Sequence, residues 1–194
     1  MSSPAEQALA PTPSQTIGPF FGFALPLASE RFVVPAGTNG AISIVGRLLD
    51  GEHQPVADGL IETWQANPEG RFYHPDDPRG PFEGDGFRGF GRSATDGGGR
   101  FELLTVKPGC LPGPGDTTQA PHIAVSVFAR GLLQRLVTRI YFGDEEEANA
   151  ADPVLSTLQL GESRRQRLLA APIDGGYRFD IVLQGPDESA FLSI

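Results

Sequence analysis

Apolar residues along this chain occur in short runs that glycine, proline and aspartate interrupt, from residue 41 almost to the end. Runs of about five to eight residues with such boundaries are typical of strands in an all-β sandwich or barrel. The pattern predicts strands at residues 41–49, 59–66, 99–106, 122–129, 135–142 and 176–184. A last run, residues 190–194, predicts an additional edge strand. The predicted fold class is therefore all-β, a β-sandwich with few short helices.

Only two segments have the composition of helices. Residues 144–150 begin with acidic side chains, which the positive end of a helix dipole favours. Residues 163–170 begin with Ser163, a residue type that often caps a helix N-terminus, and continue with good helix formers. We expect a short helix in each place.

Residues 1–40 do not have the strand pattern of the rest of the chain. They are rich in proline, yet Phe20 and Phe21 are adjacent aromatics that a free tail would have little reason to keep. We predict an ordered N-terminal arm over residues 1–40 and a single β domain over residues 41–194. The arm either covers a sheet edge of its own domain, which prevents edge-to-edge aggregation, or reaches a second subunit.

Composition and charge limit the class of protein. The 194 residues fit one domain, and 24 acidic against 15 basic residues give a net charge of -9, so a nucleic-acid partner is not expected. The single cysteine cannot form an internal disulfide. Because the sequence has neither a signal-peptide pattern nor a long apolar run, we expect a soluble, cytoplasmic protein without a membrane partner.

The spacing of the histidines does not indicate a metal site. His53, His74 and His122 lie far apart, without the close pairs that place two imidazoles on one face. His122 begins an apolar strand, and the next residue on the same face is Ala124. From the residues alone, His122 is either a hydrogen-bonded structural histidine or a single ligand. Motifs of the common hydrolases and nucleotide-binding enzymes are also absent from the sequence.

Arg130 is the charged residue that the strand pattern singles out. It follows the predicted strand at residues 122–129 and precedes Gly131, so its guanidinium lies near a turn. It either binds a carboxylate through two hydrogen bonds or forms a surface ion pair with one of the many acidic residues. The long segment at residues 67–91 is rich in proline and glycine, and loops of that length are usually functional or interfacial.

Several sequence runs resemble one enzyme family, the intradiol ring-cleaving dioxygenases. The similarity extends from about residue 11 to the end of the chain. The runs are Thr12-Pro-Ser-Gln-Thr-Ile-Gly-Pro-Phe, Ile61-Glu-Thr-Trp-Gln-Ala-Asn, Phe87-Arg-Gly-Phe-Gly-Arg-Ser-Ala-Thr-Asp, Thr105-Val-Lys-Pro-Gly, Ala120-Pro-His-Ile, Phe128-Ala-Arg-Gly and Thr138-Arg-Ile-Tyr-Phe. Because so many runs match together, the resemblance is specific.

The resemblance implies a β-sandwich of two mixed sheets and a role in bacterial degradation of aromatic compounds, in the β-ketoadipate pathway. It implies Fe(III)-dependent cleavage of protocatechuate (3,4-dihydroxybenzoate) by O2 to 3-carboxy-cis,cis-muconate. It also implies that α and β subunits of common ancestry assemble into a large α/β oligomer, in which the small aromatic substrate and O2 are the other partners.

The resemblance also identifies which kind of subunit this is. Family members that hold iron use two tyrosines and two histidines, in motifs that look like Gly-Arg-Tyr, Pro-Gly-x-Tyr-Pro-Trp and His-x-His. The corresponding vestigial positions in this sequence are Phe72, Leu111, His122 and Ala124. An arginine that catalytic chains carry three residues before the first histidine is replaced by Gln119. The resemblance therefore implies an α-type subunit without catalytic or metal-binding residues of its own, and Fe(III) bound by the partner β subunit.

By the same resemblance, the chain still contributes to substrate binding at its partner. Thr16, Gly18, Pro19 and Phe20 of the arm would line the partner's pocket, and Arg130 would reach the substrate region. A ring carboxylate in an apolar cleft needs a cationic or hydrogen-bonding partner, which Arg130 would supply. Two rival interpretations are a self-sufficient dioxygenase with a rebuilt metal site and a β-sandwich binding or scaffold module without a role in catalysis.

Overall fold

Strands make up most of the regular structure in the computed structural model, which describes residues 16, 18, 20–80, 86–157 and 161–192. The strands in these residues are β1 (Ala41–Leu49), β2 (Leu60–Trp64), β3 (Phe90–Ala94), β4 (Arg100–Val106), β5 (Leu111–Pro112), β6 (Thr118–Gln119), β7 (His122–Phe128), β8 (Leu136–Phe142), β9 (Leu169–Ile173), β10 (Gly176–Arg178) and β11 (Ile181–Val182). The helices are α1 (Phe21–Ala24), α2 (Glu146–Ala151), α3 (Pro153–Thr157) and α4 (Glu162–Gln166). The prediction of a mostly-β fold with a few short helices is confirmed.

The first five predicted strands are confirmed to within two residues at each end. The sixth prediction, residues 176–184, corresponds to two short strands, β10 and β11, that both pair with β1 in parallel. Between them, Asp180 Oδ1 accepts a hydrogen bond from Arg47 N at 2.9 Å. A side chain thus satisfies the β1 backbone where the predicted continuous strand is interrupted.

Other predictions differ from the structure. The sequence pattern misses β3 and β9, because β3 lies within the segment interpreted as a long loop and β9 overlaps the predicted helix at residues 163–170. That helix ends at Gln166 as α4 because the next residues pair with β8, and the residue at its N-cap is Gly161, so the capping role of Ser163 is wrong. Residues 190–192 are not a strand, and residues 193–194 lie outside the described residues.

One hydrogen-bonded path connects most strands in the order β4–β1–β10–β9–β8–β7–β2–β3. Strands β5 and β6 form a separate two-stranded sheet. The two ends of the path also meet, since Glu102 N in β4 donates to Ser93 Oγ in β3 at 3.2 Å. The main sheet is therefore nearly closed and barrel-like, with both parallel and antiparallel pairs.

The hydrophobic core lies between two halves of this sheet. Strands β1 and β4 contribute Ile44, Leu48, Phe101 and Leu103, and strands β2, β7 and β8 contribute Ile61, Val125, Val127, Ile140 and Phe142. Strand β9 joins the halves, because its first residues pair with β8 and its last residues pair with β10. Burial of these apolar side chains is the main stabilising contribution to such a fold.

The segment before β1 is attached to the body of the fold at residues 31–34. Val33 and Val34 are buried in a cluster with Phe87 and Val106. Val33 N donates to Leu104 O at 2.9 Å, so the segment runs beside β4. Within the described residues, no helix has the length and apolar character needed to cross a membrane.

We expect Gly46→Ala to lower the free energy of unfolding by about 2 kcal/mol through overpacking. A Cβ at position 46 would lie 1.8 Å from Phe179 O and 2.7 Å from Phe101 Cζ, and the carbonyl belongs to the backbone between β10 and β11. Chemical denaturation of the purified chain measures the loss. Gly97→Ala is the matched control, because a Cβ at Gly97 has no atom within 4 Å. Equal stability of the two variants would contradict the expected clash.

Candidate functional site

A cavity of about 430 Å³ lies between the start of β7 and the loop that follows β2. Its lining contains all four positions that the family resemblance relates to iron ligands, namely Phe72, Leu111, His122 and Ala124. The other lining residues are Trp64, Gln65, Asp77, Pro78, Arg79, Pro112, Gln119 and Arg139. The fold therefore brings Phe72 and Leu111 next to His122 and Ala124 of β7, although the three segments are separate along the chain.

A tight turn at residues 67–71 positions Phe72 in this cavity. Gly70 has a φ of +70°, and a Cβ on it would lie 2.2 Å from Cys110 O, so this close approach requires glycine. Asn67 O accepts hydrogen bonds from Gly70 N and Gly109 N, each at 2.9 Å. The turn is thus held against the segment that leads into Leu111.

His122 is the only one of the four positions whose side chain has a donor atom for a metal ion. It is buried, and its Nδ1 lies 2.8 Å from Ala120 O. Because a carbonyl oxygen only accepts, Nδ1 carries the hydrogen and Nε2 keeps its lone pair. Burial, with a further contribution from the charge of Arg139, lowers the pKa of His122 to about 4. The imidazole is therefore neutral at pH 7 and has the hydrogen bond expected of a structural histidine.

An ion pair between Asp77 and Arg79 forms another part of the cavity lining. Asp77 is buried and accepts hydrogen bonds from Arg79 Nε and Nη2, each at 3.0 Å, and from Phe72 N at 2.9 Å. The hydrogen bonds from Arg79 hold the pKa of Asp77 well below its usual range. Asp77 is therefore ionised and fully engaged, so it is not a free ligand.

Arg139 brings a second cation to the cavity from β8. The strand register pairs Arg139 with Ala124 across β7 and β8, so the guanidinium lies beside a small side chain. Arg139 Nη1 donates to Gln119 Oε1 at 2.8 Å and to Tyr141 OH at 3.2 Å. Reasoning from sequence missed this residue, although the period of two in a strand places positions 139 and 141 on one face.

Asp152 supports the cavity from behind Tyr141, and reasoning from sequence missed it as well. It is fully buried and accepts a hydrogen bond from Tyr141 OH at 3.3 Å and from Ala120 N at 2.8 Å. It also caps α3 by accepting hydrogen bonds from Val154 N and Leu155 N, each at 2.8 Å. The aspartate thus connects helix α3 with the residues that precede His122.

Arg130 lies outside the cavity, beyond the end of β7 that is remote from His122. Arg130 follows His122 by eight positions of largely extended chain, which corresponds to more than about 20 Å. The side chain of Arg130 is 64% exposed, and its Nε forms an ion pair with Asp58 Oδ2. Within this chain, Arg130 therefore has the surface ion pair that the sequence allowed as one of two alternatives.

The arm residues that the structure describes are also apart from the cavity. Thr16, Gly18 and Phe20 are all exposed, and Phe20 is 80% exposed. Pro19 lies outside the described residues. None of the three described positions lines the cavity.

A wider cleft of about 680 Å³ crosses β1, β3 and β4. Three of its arginines, Arg31, Arg92 and Arg178, are ion-paired with neighbouring carboxylates. None of the described positions that the sequence singles out lines this cleft. The smaller cavity is therefore the better candidate for the functional site.

Known proteins with similar sequences and structures identify the class. A protein-family profile described as "Dioxygenase" matches residues 17–185. The protocatechuate 3,4-dioxygenase alpha chain of Burkholderia cepacia is 37% identical over 201 residues, which cover 94% of this chain and 97% of that one. The beta chain of the same organism is 38% identical over 156 residues, covering 75% of this chain and 65% of that one. The dioxygenase domain of a carbohydrate-binding fusion protein from Streptomyces sp. SirexAA-E is 27% identical, with a TM-score of 0.53 over 80% of this chain and 87% of that one.

The mostly-β fold and the matching profile define the class of protein as a dioxygenase. The chain belongs to the intradiol ring-cleavage dioxygenase family, and the resemblance seen in its sequence motifs is confirmed. Iron is the metal of this family, yet three of the four related positions in this chain have no donor atom. In the part of the chain that the structure describes, no group of three or more His, Cys, Asp or Glu side chains could hold a metal ion.

Proposed function

We propose that this chain is an α-type subunit of a protocatechuate 3,4-dioxygenase. A β-type partner holds Fe(III) and cleaves protocatechuate with O2, while this chain shapes the partner's pocket and supports a large α/β oligomer. The observation that carries the proposal is the lining of the cavity, where Phe72, Leu111 and Ala124 stand at positions related to iron ligands. Similarity to an alpha chain over nearly the whole of both sequences supports the same assignment.

Iron does not fit the residues of this cavity. Carboxylate, imidazole and phenolate donors suit iron, and a stable site needs several of them together. His122 Nε2 is the one donor at the four related positions, and the neighbouring carboxylate of Asp77 is already engaged by Arg79 and Phe72 N. These residues therefore do not form an iron site in this chain.

Arg130 is proposed to bind the ring carboxylate of protocatechuate at the partner's site. Its Nε pairs with Asp58, and its terminal nitrogens have no hydrogen-bond partner among the described residues. A guanidinium can bind a carboxylate through two parallel hydrogen bonds. Because a carboxylate is costly to bury without such a partner, an exposed arginine on this chain suits a substrate pocket formed jointly with the partner.

In the α/β complex, Arg130→Gln is expected to lower kcat/KM for protocatechuate about tenfold, which is the effect of losing one charged hydrogen bond. The value for catechol should change little, because catechol has no carboxylate. Oxygen uptake with each substrate measures both values. Arg135→Gln is the matched control, since Arg135 is exposed on the same β7–β8 hairpin. Equal losses on the two substrates would argue against carboxylate binding by Arg130.

The N-terminal arm is proposed to make the second contribution, with Thr16, Gly18, Pro19 and Phe20 lining the partner's pocket. The ring of Phe20 is exposed in this chain, so it is available to pack against a partner. The anchored residues 31–34 would hold the base of the arm in place. We keep the division into an arm at residues 1–40 and a β domain at residues 41–194, with the two halves of the main sheet as the two mixed sheets of a sandwich.

The proposed function is tested by measuring iron content and protocatechuate-dependent oxygen uptake. Both are measured on this chain purified alone and on the chain co-purified with a β-type partner. We expect the chain alone to be free of iron and inactive, and the pair to contain iron and to consume oxygen. Iron and turnover in the chain alone would show a rebuilt metal site and overturn the proposal.

Repeating these measurements with variants of this chain tests the interpretation as a binding or scaffold module. If the pair contains iron but deletion of the arm and Arg130→Gln leave its oxygen uptake unchanged, this chain serves assembly only. If the pair is inactive although it forms, the dioxygenase function itself is excluded for this chain.

A further inference from the structure

The cavity around His122 has an aromatic wall that suits a planar ligand. The rings of Trp64 and Phe72 are parallel, with their centroids 6.0 Å apart. Leu111 and Ala124 add apolar surface, and the volume of about 430 Å³ is in the range of small-molecule sites. The substitutions that remove metal donors from this cavity therefore leave a space lined by aromatic and aliphatic groups.

A cation without a carboxylate partner faces the same space. Arg139 Nη1 donates to Gln119 and Tyr141, which are both neutral. Arg139 is half-buried, and its Nε and Nη2 have no hydrogen-bond partner in the described part of the chain. These two donors form one side of the guanidinium fork, which matches the two oxygens of a carboxylate.

The charges near Arg139 leave the cavity with a net positive group. The charge of Asp77 is balanced by its ion pair with Arg79. Asp152 is the next carboxylate, but Tyr141 OH lies between it and Arg139, and Asp152 already accepts three backbone hydrogen bonds. Among the described residues, Arg139 forms no salt bridge with a carboxylate, and its hydrogen bonds go to Gln119 and Tyr141.

We propose that this cavity binds a small aromatic carboxylate without a metal ion, through Arg139 on the carboxylate and Trp64 and Phe72 on the ring. His122 Nε2 offers an acceptor for a ring hydroxyl, because Nδ1 donates to Ala120 O. The site lies entirely within this chain, so it does not depend on a partner subunit or on the proposed role of Arg130.

Trp64 allows the proposal to be tested directly, because it is the only tryptophan in the sequence. Its fluorescence is followed while benzoate is added to the full-length chain, at an excitation wavelength that benzoate does not absorb. Benzyl alcohol, which has the ring without the carboxylate, is titrated in parallel. We expect a saturable change with benzoate and binding of benzyl alcohol weaker by about tenfold or more, as for the loss of a charged hydrogen bond.

Two variants separate the contribution of charge from that of cavity space. Arg139→Gln is expected to weaken benzoate binding about tenfold and to leave benzyl alcohol binding unchanged. Arg135→Gln, at an exposed position just before β8, should change neither. Ala124→Leu, which fills the cavity, should weaken both ligands. Far-UV circular dichroism shows whether each variant folds.

Three results would overturn the proposal. These are the absence of a saturable benzoate signal in the unmodified chain, equal affinity for benzoate and benzyl alcohol, and equal benzoate binding by folded Arg139→Gln and Arg135→Gln. The comparison of the two ligands decides the matter even if Arg139→Gln does not fold. Failure here leaves the iron and oxygen measurements of the proposed function untouched, since those depend on the partner.

Discussion

Asp152→Ala will lower the free energy of unfolding by about 4 kcal/mol, because a fully buried acceptor is removed from several donors at once. The backbone N–H groups of Ala120, Val154 and Leu155 all donate to this carboxylate at 2.8 Å. Alanine cannot accept a hydrogen bond, and water has little access to the position. The loss combines an uncapped helix α3 with an unsatisfied donor in the segment before His122.

Denaturant unfolding of the full-length chain measures this loss against two further variants. Asp152→Asn keeps one acceptor oxygen, which can serve either the α3 cap or Ala120 N, while its NH2 group faces the other donor. We therefore expect a smaller loss than for Asp152→Ala. Asp174→Ala is the matched control, since Asp174 is an exposed aspartate between β9 and β10. If Asp152→Ala cost no more than Asp174→Ala, the hydrogen bonds of Asp152 would not be the support described for the cavity.

The role of Asp152 at the start of α3 could have been predicted from the sequence. An aspartate followed by Pro153 is a common helix start, with the acid at the N-cap and proline at the first helical position. That local signal predicts α3. It does not predict that the second oxygen reaches Ala120, because this contact depends on how α3 packs beside the β5–β6 sheet.

Strands were predictable where apolar residues repeat over a buried core, and β1, β4 and β7 are examples. Strand β3 was not, because Gly91, Arg92 and Ser93 give it no apolar alternation and its position depends on pairing with β2. Strand β9 was read as helix because leucine and alanine are good helix formers, whereas pairing with β8 and β10 decides its conformation. Local propensity was overridden in both cases by tertiary contacts.

For the site, the family motifs predicted which positions come together, and the cavity contains all four of them. They did not identify Arg139 as a cation without a carboxylate partner, because that property depends on which acidic residues lie near it in space. The lining of the cavity therefore differs from that of an iron site. Metal donors are missing at three positions, while the charged and aromatic groups around those positions are present.

Protonation of His122 will destabilise the fold as the pH falls from 6.5 toward 4. Burial, followed by the charge of Arg139, lowers the pKa of His122 from its ordinary value of 6.5 to about 4 in the folded chain. The unfolded chain therefore binds a proton more readily in this interval, and the free energy of unfolding rises with pH. Above pH 6.5 the imidazole is neutral in both states and does not change the free energy of unfolding. Between pH 6.5 and pH 4 the free energy of unfolding falls by about 3 kcal/mol.

Unfolding curves measured at several pH values compare the unmodified chain with His122→Gln. Glutamine does not titrate, so the variant should lack this part of the pH dependence, whatever its stability at pH 7. His53→Gln is the matched control, since His53 is exposed and its removal should leave the decline in place. Carboxylates such as Asp77, whose pKa is held low by hydrogen bonds from Arg79, contribute mainly below this interval. An unchanged slope in His122→Gln would mean that the imidazole is not held neutral by its surroundings, and the cavity would then be wetter than its geometry indicates.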